Sequence, residues 1–241
     1  MTISKTVPTP ADAVADIPDG ATVMVGGFGL AGQPVALLEA LLDQGATDLT
    51  VVSNNAGNGD TGLAALLAAR RVRKIVCSFP RQVDSWVFDG LYRSGDIELE
   101  LVPQGTLAER IRAAGAGIPA FFTPTGFGTP LADGKETRVV GGRDVVLEHA
   151  LHADFALVGA RFADRWGNLV YRETARNFGP MMASAAAVTI TQVDAILPLG
   201  DLDPERIVTP GIFVQRVVEL GERPWLRDGE LVTGAGREAL A

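Results

Sequence analysis

The chain of 241 residues holds one cysteine and two histidines. A lone Cys77 excludes an internal disulfide and any cysteine-based zinc site, and His149 with His152 is too sparse a pair for a histidine-rich metal site, so no metal is expected. Lysine is scarce as well: of 21 basic residues only Lys5, Lys74 and Lys135 are lysines, which leaves 18 arginines. With 29 acidic residues the formal net charge is −8, which argues against nucleic acid or an anionic membrane surface as partner. No stretch approaches the roughly 18 uninterrupted apolar residues of a membrane span. Residues 1–8 lack the apolar core of a signal peptide, so a cytoplasmic protein is expected.

What is present is an ordinary globular composition, 47% apolar with 28 glycines. Hydrophobic period switches repeatedly along the first half. Thr9-Pro10-Ala11-Asp12 supplies an N-cap, a proline for the first helical position and an early acid, predicting a helix to about Asp16. Strands are predicted over 22–26, 49–53, 74–78 and 97–102, and helices over 34–45, 62–69 and 83–92. Ile97, Leu99 and Leu101 alternate with Glu98 and Glu100 as in a strand with one wet face, and Thr106 with Glu109 reads as a capping box for a helix ending at Gly115. Such alternation predicts an α/β fold with an open, mostly parallel sheet and helices on both faces.

After a Gly/Pro-rich loop over 123–134, segments 136–140 and 143–147 flank Gly141-Gly142 as a small antiparallel hairpin insertion. Further strands are expected over 155–158, 168–171 and 188–197, with a helix over 180–187. Without a linker or an internal repeat, 1–241 reads as one domain with a loose tail from about 229 to 241.

Gly27-Phe28-Gly29-Leu30-Ala31-Gly32 matches the G-x-G-x-x-G pattern of dinucleotide-binding turns, after a strand and before a helix. A nicotinamide dehydrogenase also needs an acid at the end of the second strand for the ribose hydroxyls. Here that strand ends in Val52-Ser53-Asn54-Asn55, with neutral amides. The plainer reading is that the glycines permit close strand–helix packing.

A longer stretch points elsewhere. Asp19-Gly20, the apolar run 21–25, then Gly26-Gly27-Phe28-Gly29-Leu30-Ala31-Gly32-Gln33-Pro34 resembles the signature of family I coenzyme A transferases. Ser53-Asn54-Asn55-Ala56-Gly57, the segment from Pro103-Gln104-Gly105 to Arg110, and Ala175-Arg176-Asn177-Phe178 also resemble the A subunit of that family, so the resemblance runs from about Asp12 to Val218.

The resemblance implies transfer of coenzyme A between an acyl-CoA and a carboxylate by a ping-pong route through a glutamyl-CoA thioester. The nucleophilic glutamate of the family lies in a Ser-Glu-Asn-Gly motif of the B subunit, and no glutamate of this chain is preceded by Ser and followed by Asn. The chain is therefore expected to act only with a CoA-transferase B subunit, in an A2B2 heterotetramer, with a coenzyme A thioester as substrate and no other cofactor. A noncatalytic role in assembly is the competing reading.

By the same resemblance Gln104 is an oxyanion-hole amide. Asn54 and Asn55 are candidates for substrate contact or for capping loop amides, and Gly26, Gly27, Phe28, Gly29 and Gly32 for backbone approach to substrate or partner. Cys77-Ser78-Phe79-Pro80-Arg81-Gln82 and the short hairpin over 131–143 are more like the succinyl-CoA:3-oxoadipate group of the family than the acetoacetate group, which is the runner-up. Arg81, just beyond a strand end, is the candidate for the second carboxylate of 3-oxoadipate, against a plain surface pair with Asp84. Cys77 reads as core, Trp86, Phe88 and Tyr92 as the packed face of a helix, and Arg172, Arg176 and Arg216 as candidates for a subunit interface.

Overall fold

A computed structural model describes residues 3–221, 225–227 and 230–232. In chain order the first half runs α1 (Pro10–Val14), β1 (Thr22–Val25), α2 (Val35–Gln44), β2 (Leu49–Val52), α3 (Leu63–Ala68), β3 (Val72–Cys77), α4 (Trp86–Ser94), β4 (Glu98–Leu101) and α5 (Gln104–Gly115). The second half adds β5 (Ala120–Thr123), β6 (Thr137–Val140), β7 (Arg143–His149), β8 (Ala153–Gly159), β9 (Phe162–Asp164), β10 (Leu169–Val170), α6 (Gly179–Ala185), β11 (Ala186–Val193), β12 (Ala195–Leu197) and β13 (Arg216–Glu219). A last pair, β14 (Trp225–Arg227) and β15 (Glu230–Val232), is antiparallel. Apart from β15, the tail expected from about 229 to 241 lies outside the described residues.

Seven strands form one sheet in the order β13-β11-β8-β1-β2-β3-β4, and every neighbouring pair is parallel. Side chains of β1 alternate between two cores, as a strand buried on both faces requires. Val23 and Val25 join Leu37, Leu38, Leu66 and Phe88 from α2, α3 and α4, while Met24 joins Leu107 and Ile111 of α5 and Met182 of α6. Helices thus cover both faces. Chain direction across the sheet reverses between β1 and β8, and at such a reversal open α/β sheets leave a crevice beyond the strand carboxyl ends. The glycine loop after β1 opens into that position.

The insertion is a three-stranded antiparallel sheet, β5-β7-β6, rather than a hairpin alone. Gly141 and Gly142 turn it with φ of +58° and +76°, a two-residue geometry open to glycine at little cost. Ion pairs fasten this sheet to the edge of the main one. Arg110 of α5 binds Glu100 of β4 at 2.9 Å and lies 3.9 Å from Glu148 of β7, Lys74 binds Glu100 at 2.6 Å, and Lys135 binds Glu148 at 2.6 Å.

Several boundaries differ from expectation. The helix after β4 begins at Gln104 with Pro103 as its N-cap residue, so Thr106 is buried in the first turn and caps nothing, and Glu109 pairs instead with Arg112 at 2.6 Å. The single strand expected over 188–197 breaks at Asp194: β11 stays in the main sheet and β12 leaves to pair with β9. Of the expected packed face on α4 only Phe88 is buried, at 1% exposure, whereas Trp86 and Tyr92 stand 58% and 46% exposed. Leu101 is exposed too, because β4 is the edge strand.

Burial alone would raise the Glu100 carboxyl, but hydrogen bonds from Lys74 and Arg110 outweigh it and hold the group below its usual 4.5. A carboxylate held low adds stability above its unfolded pKa and loses it as pH falls through the folded value. Glu100→Gln should therefore unfold at lower temperature than the parent at about pH 7, with the gap closing toward about pH 3. Thermal melts at both ends test this, and a gap of constant size would contradict it.

Candidate functional site

The loops at the carboxyl ends of β1 and β4 and the turn before α6 meet around two hollows. One, of about 320 Å³, is lined by Phe28, Gln104, Gly105, Ala108, Asn177, Phe178 and Met181. The other, of about 480 Å³, is lined by Phe28, Ala31, Glu173, Thr174, Arg176 and Asn177. Phe28 and Asn177 belong to both walls, so the hollows adjoin across them.

The glycine loop is a closed turn. Phe28 and Ala31 exchange backbone hydrogen bonds of 3.0 and 3.2 Å, with Gly29 between them, and the Gly26 amide donates to the Leu157 carbonyl of β8 at 3.0 Å. Asn177 fixes it from across the crevice. Its Oδ1 accepts from the Gly27 and Phe178 amides at 3.1 and 2.7 Å, while its Nδ2 donates to the Ala31 and Thr174 carbonyls at 2.9 and 3.0 Å. Gly32 has φ +76°, and a Cβ there would overlap the carbonyl oxygen of Ala175. Only glycine lets the two segments approach so closely.

Gln104 is exposed as the first residue of α5 and faces Phe28 across the smaller hollow. Asn54 and Asn55 are brought elsewhere, beneath the surface at the end of β2. The Asn54 carboxamide oxygen accepts from the Ser78 hydroxyl at 2.8 Å, its Nδ2 is buried without a partner, and the Asn55 oxygen accepts from the Gly57 amide at 2.9 Å. The Ser78–Asn54 bond joins the loops after β2 and β3, and the Asn55 bond lies within the first of them. Asn55 thereby caps a loop amide, one of the two roles expected for it.

Arg81 is engaged. Its Nε bonds Asp89 at 2.6 Å and its guanidinium lies 6.0 Å from the Tyr92 ring centre, so its partner is Asp89 in α4 and not the expected Asp84, which precedes that helix. Arg216 is engaged as well, binding both Asp16 oxygens at 2.6 Å and the Ala13 carbonyl at 2.7 Å. Cys77 is buried, and burial pushes its thiol up to about 12, so it is no nucleophile at neutral pH. Asp154, two residues after His152, accepts from the Thr22 amide at 2.8 Å, and Glu148, beside His149, is taken by Lys135. Among the described residues no three His, Cys, Asp or Glu cluster as a metal site would require.

The family profile described as Coenzyme A transferase matches residues 7–220. The chain belongs to that family. It is 67% identical over 216 residues to the A subunit of 3-oxoadipate CoA-transferase from Pseudomonas putida, covering 90% of this chain and 94% of that one. It is 53% identical over 202 residues to the A subunit of succinyl-CoA:3-ketoacid coenzyme A transferase from Xanthomonas campestris pv. campestris, covering 84% and 83%. In fold it resembles the acyl-CoA transferase of Escherichia coli O157:H7, with a TM-score of 0.84 at 23% identity over 95% of this chain; it spans 50% of the length of that enzyme. This transferase chain therefore carries its glycine loop as part of a coenzyme A transferase signature, and the dinucleotide reading is set aside.

The candidate site contains one residue whose part the sequence alone did not disclose. Asn177 stood inside a motif, but nothing local to residue 177 says that its amide reaches Gly27. Asn177→Ala removes four hydrogen bonds at a half-buried position and is expected to cost about 1–3 kcal/mol, with faster hydrogen exchange at the Gly27 amide. Urea unfolding and exchange measured by NMR check both; unchanged exchange at Gly27 would rule out the staple.

Proposed function

We propose that this chain is the A subunit of a heteromeric succinyl-CoA:3-oxoadipate CoA-transferase, moving coenzyme A from succinyl-CoA to 3-oxoadipate. The observation that carries the proposal is the 67% identity to the same subunit of a 3-oxoadipate CoA-transferase along nine-tenths of the chain. The acetoacetate reading is kept second because a relative at 53% identity is named for 3-ketoacid transfer.

Chemistry sets what the chain must contribute. A carboxylate attacks the carbonyl carbon of a thioester, the carbonyl oxygen takes the developing negative charge, and collapse of the tetrahedral species breaks the carbon–sulfur bond to give an acyl–carboxylate anhydride and the coenzyme A thiolate. The thiolate then attacks the anhydride at the enzyme's own carbonyl, which releases the free acid and leaves the enzyme as its coenzyme A thioester. The nucleophile in this proposal is a glutamate of the B subunit, whose coenzyme A thioester is the covalent state between half-reactions. The present chain supplies the facing wall. Gln104 is exposed on that wall, and a carboxamide N–H donates to an oxyanion without a proton to lose. The glycine loop, stapled by Asn177, offers Phe28, Gly29 and Gly32 as its accessible rim toward substrate or the B subunit, whereas Gly26 and Gly27 are buried and their amides are taken by Leu157 and Asn177. Asn54 acts from below by tying the loop after β2 to the loop after β3, and Asn55 by closing the turn within the first of them. Arg81 already shares its charge with Asp89 through Nε, which weakens its case as the receiver of a substrate carboxylate.

Partner contact accounts for an otherwise costly surface. Phe28 and Leu30 after β1, Phe79 and Val83 after β3, and Trp86 at the start of α4 are all exposed. An A2B2 assembly within the cytoplasm would satisfy the pattern.

Assayed alone, the chain should show no exchange between succinyl-CoA and 3-oxoadipate, and addition of a partner chain with a Ser-Glu-Asn-Gly motif should restore it. Turnover by the isolated chain would refute the half-site arrangement. In the restored complex Gln104→Ala is expected to lower kcat by about 10²–10³-fold with little change in KM, the signature of a donor used in the transition state. A change confined to KM would place Gln104 in ground-state binding instead.

A further inference from the structure

Most arginines near the site already have a carboxylate. Arg81 holds Asp89, Arg110 holds Glu100, and Arg112 holds Glu109, at 2.6 to 2.9 Å. Arg176 differs: it is exposed on the wall of the larger hollow, and no carboxylate of the described residues lies within ion-pair distance of it. Glu173, on the same wall, forms no ion pair with it, so the guanidinium is not neutralised in place.

The segment that carries Arg176 is held firmly. Residues Glu173–Arg176 form a single 3-10 turn, the next residue is Asn177 with its four hydrogen bonds, and Ala175 is pressed against Gly32. The held backbone fixes where the Arg176 side chain starts, beside the hollow, and its planar guanidinium has the donor fork that binds a carboxylate bidentately. The larger hollow adjoins the one lined by Gln104 through Phe28 and Asn177. An acid lying across this boundary would have one end beside the oxyanion donor and the other beside Arg176, with its methylene chain along the Phe28 ring.

We propose that Arg176 binds the far carboxylate of a dicarboxylic acyl group, the end that does not react, and so selects dicarboxylic over monocarboxylic substrates. This rests on the coenzyme A transferase reading above and adds to it the residue that recognises the substrate class. Arg176 here takes the role that sequence suggested for Arg81, because Arg81 has its own internal carboxylate. A phosphate of coenzyme A is the other anion that a free guanidinium could receive, so the test separates the two.

The experiment uses the complex of this chain with its partner, carrying Arg176→Gln, Arg176→Lys or Arg81→Ala. A lost charge-assisted hydrogen bond of about 1.5–3 kcal/mol corresponds to about 10–100-fold in affinity. Arg176→Gln should raise KM for succinate and 3-oxoadipate by that factor and leave KM for acetoacetate within about twofold, and Arg176→Lys should recover part of the loss. Inhibition by adenosine 3′,5′-bisphosphate, a probe for the phosphate end of coenzyme A, should be unchanged.

Equal losses on dicarboxylic and monocarboxylic acids, weakened inhibition by the bisphosphate, or selective loss in Arg81→Ala but not in Arg176→Gln would each overturn the proposal. Calorimetric titration of the complex with succinate reads the same contact without turnover. If the parent complex transfers no coenzyme A among these acids, the functional reading fails by itself. Succinate binding that is lost in Arg176→Gln would still uphold the clamp, and binding that is unchanged would reject it.

Discussion

Everything around the two hollows depends on one carboxamide. Asn177 joins two segments 150 residues apart in sequence, taking the Gly27 amide on its oxygen and giving its nitrogen to the Ala31 carbonyl. The glycine loop cannot be held this way by its own contacts, because a loop of glycines loses more conformational freedom on ordering than any other. Gly32 makes the arrangement possible from the other side, since any side chain there would collide with Ala175. The two hollows exist because these contacts bring Phe28 against the turn before α6.

That constraint sits where the sheet favours it. Strands β2, β3 and β4 lie to one side of β1, and β8, β11 and β13 to the other, so chain connections diverge at the β1–β8 boundary and leave space above it. The elements around the crevice are rigid for separate reasons. Beneath the β2 and β3 ends, Asn54 and Ser78 form a buried hydrogen-bonded joint; at the far edge, alternating charges from Lys74 to Lys135 clamp the antiparallel sheet. A net charge of −8 therefore says little about the site. What matters locally is which guanidinium groups are already satisfied.

Much of this was legible in the sequence, and the failures have identifiable physical causes. Strands β1 and β2 are short apolar runs whose residues alternate between two cores as a fully buried strand requires, while β4 alternates Glu with Leu as the edge strand of the sheet. The start of α5 was misplaced because a Ser/Thr-x-x-Glu pattern signals a cap only when the Thr lies outside the helix, and Pro103 had already set the start one turn earlier. The split between β11 and β12 was invisible because periodicity records which faces are buried and not which strand each segment pairs with. Trp86 and Tyr92 follow a helical spacing, yet α4 buries only the stripe that contains Phe88.

By itself, the sequence determined the family, the parallel α/β class, the buried inert cysteine and the placing of Gln104 at the junction of β4 and α5. Those follow from local pattern: apolar period, glycine position and motif order are all written in neighbouring residues. Tertiary structure alone decided that Arg81 pairs with Asp89, that Arg216 turns to Asp16, that Arg176 stands beside a hollow with no ion pair among the described residues, and that Asn177 holds the glycine loop. Ion pairing and hydrogen bonding are set by separations of a few ångströms between side chains, and for segments distant in the chain those separations exist only once the sheet has closed around β1.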